Sequence, residues 1–120
     1  MTMSKTILVV DDMEKFRSDY RCFLDQLGHT TIEAEDGYAG LKLLEQQKID
    51  IIFLDFNMPG MDGFEFADQV HTKMQDSAPP IVMMSTDIAK NQQAVATKRA
   101  KCWMAKPSTL TMVEQAISQC

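Results

Sequence analysis

Asp55 stands at the end of four consecutive large apolar residues, Ile51-Ile52-Phe53-Leu54, and is followed by Phe56-Asn57-Met58-Pro59-Gly60. A run of that kind between Asp50 and a Pro-Gly loop reads as a strand buried on both faces. It delivers a carboxylate at its carboxyl end, where charge is costly unless charged partners surround it. Other short apolar runs end in a similar way: one at Asp11-Asp12, one at Ser85-Thr86 and one at Lys106-Pro107. If these ends meet, three carboxylates repel one another, and a divalent cation with a preference for hard oxygen ligands relieves them; magnesium fits. Magnesium commonly takes a phosphate oxygen beside its carboxylates. A lysine ammonium supplies a point charge for phosphate, and a serine hydroxyl one hydrogen bond. A carboxylate can itself accept a phosphoryl group, with the cation and the lysine stabilising the charge in transfer.

Each residue also has a plainer reading. Asp12 suits an N-cap of the helix that follows, favouring its dipole. Ser85 suits a turn hydroxyl, and Lys106 before Pro107 a solvated loop lysine. What joins them is that each falls at the same end of a different inferred strand.

Those strands must be held by intervening helices. Lys5 to Val10 reads as a short buried strand. Phe16, Tyr20, Phe23, Leu24 and Leu27 then recur at helical spacing, and Gly28 suits a left-handed cap. Thr30 to Ala34 reads as a second strand, and Tyr38 to Gln47 as a helix with Leu41 and Leu44 inward. After the Asp55 strand, Gly63 to Met74 reads as a helix with Phe64, Ala67, Val70 and Met74 on one face, stopped by Ala78-Pro79-Pro80. Ile81 to Ser85 is a fourth strand. Asp87 to Lys101 is a polar helix anchored by Ile88, Val95 and small alanines, and is expected to be the most mobile element. Cys102 to Ala105 is a fifth strand. Ser108 or Thr109 caps a last helix whose Leu110, Val113, Ile117 and Cys120 share a face. Five alternations of strand and helix call for a parallel sheet with right-handed crossovers and helices on both faces. The doubly wound order 2-1-3-4-5 has its switch point between the first and third strands, where Asp11, Asp12 and Asp55 would meet.

At 120 residues the chain is the size of one domain with a core that needs no disulfide. A net charge of −5, with no basic run longer than Lys98-Arg99, argues against a nucleic-acid-binding face. Cys22, Cys102 and Cys120 are an odd number without metal-ligand spacing and read as reduced thiols of an intracellular protein. The ten methionines read as core filler. Ile7-Leu8-Val9-Val10 is too short for a signal peptide or a membrane span.

Over essentially its whole length the sequence resembles the receiver domain of two-component response regulators. The matching segments are Val9-Val10-Asp11-Asp12, Leu54 to Gly63, Pro80 to Ser85 and Lys106-Pro107. The resemblance implies a flavodoxin-like (βα)5 fold, a single receiver domain over 1–120 and no output domain. It implies that Asp55 accepts a phosphoryl group from a sensor histidine kinase or a histidine phosphotransfer protein. Asp12 and Asp55 would hold Mg2+ (or Mn2+), Asp11 mainly through water, with the backbone carbonyl of Asn57 as a further ligand. Ser85 and Lys106 would contact the phosphoryl oxygens, while Asn57 and Thr86 would govern access to them. Ser85 and Trp103 would form the switch that changes the face of the fourth helix, fifth strand and fifth helix toward a downstream protein. The domain would assist its own phosphotransfer and autodephosphorylation without being an enzyme on other substrates. It would be cytoplasmic, free of membrane and nucleic acid, and a monomer or a weak phosphorylation-dependent dimer. Four features depart from the family pattern: Thr86 where alanine or glycine is usual, Trp103 for tyrosine or phenylalanine, Arg99-Ala100 where Gly-Ala is common, and Ser108 for an apolar residue.

Other classes fit less well. A magnesium phosphohydrolase with an aspartyl nucleophile needs a second acid two residues on, where this chain has Asn57. A flavin-binding protein of the same layout needs a Ser/Thr/Gly-rich loop after the first strand. A degenerate receiver that binds partners constitutively is opposed by the intact Asp11, Asp12, Asp55, Ser85 and Lys106.

Overall fold

A computed structural model describes residues 3–120, so the first two residues of the expected 1–120 unit lie outside it. Strands β1 (Thr6–Val10), β2 (Thr30–Ala34), β3 (Ile51–Asp55), β4 (Ile81–Ser85) and β5 (Cys102–Ala105) alternate with helices α1 (Glu14–Gln26), α2 (Gly37–Gln46), α3 (Gly63–Met74), α4 (Ile88–Ala96) and α5 (Leu110–Gln119). The sheet is wholly parallel in the order β2-β1-β3-β4-β5. This is the doubly wound, flavodoxin-like fold expected from the alternation.

Side chains along β3 point alternately to the two faces, which explains its unbroken apolar run. Ile52 and Leu54 join Phe66, Val70, Leu44 and Ala94 on the side of α2, α3 and α4. Ile51 and Phe53 join Tyr20, Leu24, Val113 and Ile117 on the side of α1 and α5. Every residue of β3 and β4 is buried, and burying each large apolar side chain contributes about 1.5–3 kcal/mol.

Helix ends follow local chemistry. Asp36, Asp62, Asp87 and Thr109 accept backbone N–H groups at the starts of α2, α3, α4 and α5, and Asp62 and Glu65 form a reciprocal capping box. Gly28, with φ +83°, ends α1 in the left-handed region.

Three local expectations need correction. Asp12 does not cap α1: Met13 holds the cap position, with no side-chain cap. The α4 helix stops at Ala96 rather than running to Lys101, because Thr97 and the left-handed Lys98 (φ 61°) turn the chain before β5. Its buried residues are Asn91 and Ala94, while Ile88 is exposed. On α3 the fully buried aromatic is Phe66, and Phe64 is only half-buried, packed edge-on to Phe56 with centroids 4.7 Å apart.

Candidate functional site

Strand register brings the polar residues to one edge. Val10 pairs with Leu54, so Asp11, the next residue, is level with Asp55. Asp55 pairs with Met84, which puts Ser85 one step beyond. Ser85 pairs with Ala105, and Lys106 follows. The carboxyl edge is therefore a short staircase of Asp11, Asp55, Ser85 and Lys106.

Oxygens of Asp11, Asp12 and Asp55 lie within 4.8 Å of one another. Asp11 is wholly buried, Asp55 is 4% exposed, and Asp12 lies at the open side. Lys106 Nζ enters the cluster, 2.6 Å from Asp11 Oδ2 and 3.3 Å from Asp55 Oδ1. The ammonium also sits over the Phe16 ring, 4.0 Å from its centroid, a cation–π contact that holds the lysine stem against an apolar wall. Burial pushes the Asp55 carboxyl up to about 6; Lys106 opposes that rise and Asp11 adds to it.

The loop after β3 is fixed by close backbone contact. Gly63 donates its N–H to Phe56 O at 2.8 Å, and a Cβ at Gly63 would stand 2.8 Å from Asp55 O. Only glycine lets α3 begin so near the carboxylate. On the other side, Asp11 Oδ1 accepts the Met13 N–H at 2.9 Å, and Arg17 donates to Asp11 O at 2.6 Å. These bonds fix the β1–α1 turn that carries Asp12.

The cleft above these groups, about 220 Å3 in volume, is bordered by Asp12, Met13, Phe16, Asp55, Asn57, Thr86 and Lys106. Thr86 and Asn57 thus stand at its mouth, both exposed. Ser85 lies at the same edge but is fully buried, and its Oγ accepts the Asp87 N–H at 3.0 Å. Its own hydroxyl proton stays available. Trp103, half-buried, packs from β5 against the side of the core formed by α3 and α4.

The donor set fits a magnesium ion: three carboxylates within one coordination span, one exposed to water. Asp11 Oδ2 is buried with the Lys106 ammonium beside it but no directed hydrogen bond. A buried carboxylate oxygen left in that state is a place for a cation or its water.

Roles of four residues escape sequence reasoning here. Phe16 was read only as part of the α1 stripe. Asn91 donates from Nδ2 to Ser85 O at 2.9 Å, tying α4 to the Ser85 segment; a polar residue spaced three from Ala94 was the available sign. Tyr20 hydroxyl bonds Ser108 Oγ at 2.7 Å, and Ser108 donates to Ala105 O at 2.6 Å. Here a serine in an apolar slot and a tyrosine on an apolar stripe explain each other.

The sequence profile described as response regulator receiver domain matches residues 7–118. The chain is 31% identical to the chemotaxis protein CheY of Pseudomonas aeruginosa, over 94% of this chain and 93% of that protein. Among solved structures, CheY4 of Vibrio cholerae superposes with a TM-score of 0.86 at 29% identity, covering 98% of each chain. The response regulator TrrA of Thermotoga maritima, solved in complex with Mg2+ and BeF, superposes at 0.85 and 25% identity, covering 96% of this chain and 97% of that one. Two Vibrio sensor kinase/phosphatases are 28% identical over 95% of this chain, which spans 13% of their length.

Proposed function

The chain belongs to the response regulator receiver domain family, and on that premise we propose that Asp55 accepts a phosphoryl group from a phosphohistidine. The donor is a sensor histidine kinase or a histidine phosphotransfer protein. The observation that carries this is the pairing of a buried carboxylate at the end of β3 with Lys106 Nζ 3.3 Å away, at the floor of an open cleft.

An Asp55 oxygen attacks phosphorus in line, the P–N bond breaks, and the imidazole leaves. Asp12, Asp55, the Asn57 carbonyl and, through water, Asp11 would hold a magnesium (or manganese) ion, which would supply positive charge between carboxylate and phosphoryl oxygens. Lys106 moves from the Asp11–Asp55 pair toward a phosphoryl oxygen. Ser85, whose Oγ already accepts from Asp87, donates its hydroxyl proton to another. Thr86 and Asn57 narrow the mouth and limit attack by water on the acyl phosphate.

Drawing Ser85 inward pulls Asn91 and α4 with it, opening room on which Trp103 can turn. The face of α4, β5 and α5 then presents a new surface to a downstream protein in the cytoplasm, with the domain a monomer or a weak dimer. The test is labelling, from a phosphohistidine donor, that is labile to acid and to alkali and depends on magnesium. It should vanish in Asp55→Asn and persist in Cys22→Ser; label retained in Asp55→Asn would move the acceptor elsewhere.

A further inference from the structure

Two of the three cysteines are neighbours. Cys102 opens β5 and Cys120 closes α5, 18 residues apart in sequence, and their sulfurs stand 3.9 Å from each other. Both are half-buried, while Cys22 is exposed on α1. We propose that Cys102 and Cys120 are a redox-sensitive thiol pair, oxidised by a hydroperoxide to an intramolecular disulfide that fastens the end of α5 to the start of β5.

The surroundings favour Cys120 as the first to react. At 3.9 Å one thiol can donate to the other, and Lys101 and Lys5 both lend positive charge to Cys120, drawing its thiol below the usual value. Cys120 also borders two clefts, one of about 610 Å3 beside Lys101 and one of about 420 Å3 beside Lys5 and His29. A small oxidant therefore has a route to the sulfur.

The Cys120 thiolate attacks the terminal peroxide oxygen, the O–O bond breaks, and the alcohol or water leaves with a proton. The Cys120 sulfenic acid is then attacked by the Cys102 sulfur. An S–S bond forms, the S–O bond breaks, and the departing hydroxide takes the Cys102 proton as water. Two thiols and one hydroperoxide become a disulfide, an alcohol and water.

The pair lies at the amino-terminal end of β5, and Lys106 follows the other end. A crosslink there constrains the same helix and strand that form the expected partner face without touching the acidic cluster. In a reducing compartment it would form transiently, as a sensor does.

The experiment treats the folded, metal-loaded protein with hydrogen peroxide. We expect free thiols to fall from three to one, an intact mass lower by two hydrogens, and a digest containing the Cys102–Cys120 linked peptide. Dithiothreitol should reverse all three. Melting temperature should rise on the order of 10 °C on oxidation, the effect of closing a loop of this length. Cys22→Ser should behave as the parent, while Cys120→Ser should lose both the link and the rise. The proposal is overturned if all three thiols survive, or if only intermolecular Cys22 disulfides form. A link that appears only in denaturant, or an equal melting shift in Cys120→Ser, overturns it too.

Discussion

Lys106 lies closer to Asp11 than to Asp55: its ammonium is 2.6 Å from Asp11 Oδ2 and 3.3 Å from Asp55 Oδ1. The lysine thus serves as counter-ion to the acidic cluster before any metal arrives, and a divalent cation must share or displace it. Breaking a buried ion pair on one side leaves unpaired charge and costs several kcal/mol. Lys106→Ala should therefore melt well below the parent in metal-free buffer. Magnesium should raise its melting temperature by more than it raises the parent's. Equal magnesium shifts in the two proteins would show that lysine and metal do not compete for the same oxygens.

Asp55 carries the second prediction. Burial holds its folded-state carboxyl at about 6, above the ordinary 3.8. An acid whose pKa is raised by folding is stabilising when protonated, so its contribution is lost as pH climbs from about 4 through 6. At pH 7 without metal, Asp55→Asn should melt higher than the parent, on the order of 5 °C. Near pH 4 the gap should close. Asp12→Asn should also raise the metal-free melting temperature by relieving repulsion, while losing metal binding.

His29 should act in the opposite sense. Its Nδ1 accepts the Lys5 N–H at 3.0 Å, and burial, with Lys5 nearby, lowers its pKa. The unfolded chain binds this proton more readily, so stability falls as pH drops below about 6.5. His29→Gln should flatten that part of the stability curve, measured by urea denaturation. An unchanged slope would mean that the fold binds this proton as readily as the unfolded chain does.

For Tyr20 and Ser108 the expected outcome is non-additivity. Ser108→Ala strands the buried Tyr20 hydroxyl and should cost about 1–3 kcal/mol. Tyr20→Phe should cost about 1 kcal/mol, and the double variant less than the sum. Additive losses in a denaturation series would remove the bond from any role in setting the turn after Lys106.

How much of this was readable beforehand depends on whether a feature is local. The bounds of β3, β4, β5 and α3 follow from apolar runs interrupted by Asp, Pro and Gly, and the edge that gathers Asp11, Asp12, Asp55 and Lys106 follows from parallel alternation alone. Contacts between distant segments left no periodic trace. Asn91 falls in a helix whose sequence is polar throughout, and it is buried where its amide donates to Ser85 O. Asp12 looked like a cap because cap residues and metal ligands share one chemistry. Phe64 was placed on the inward stripe of α3, but residues two apart lie on different sides of a helix, and the buried face is that of Phe66, Ala67 and Val70.

The position of β3 has one more consequence. It is bonded on both sides, by β1 and β4, whereas β5 has a neighbour only at β4 and spans four residues. The strand that carries Asp55, the proposed phosphoryl acceptor, is thus immobilised at the middle of the molecule, and whatever gives way must do so at the rim. The sheet has two such rims, β2 and β5, and the proposed output face lies at the second, where a four-residue strand is flanked by α4 and α5.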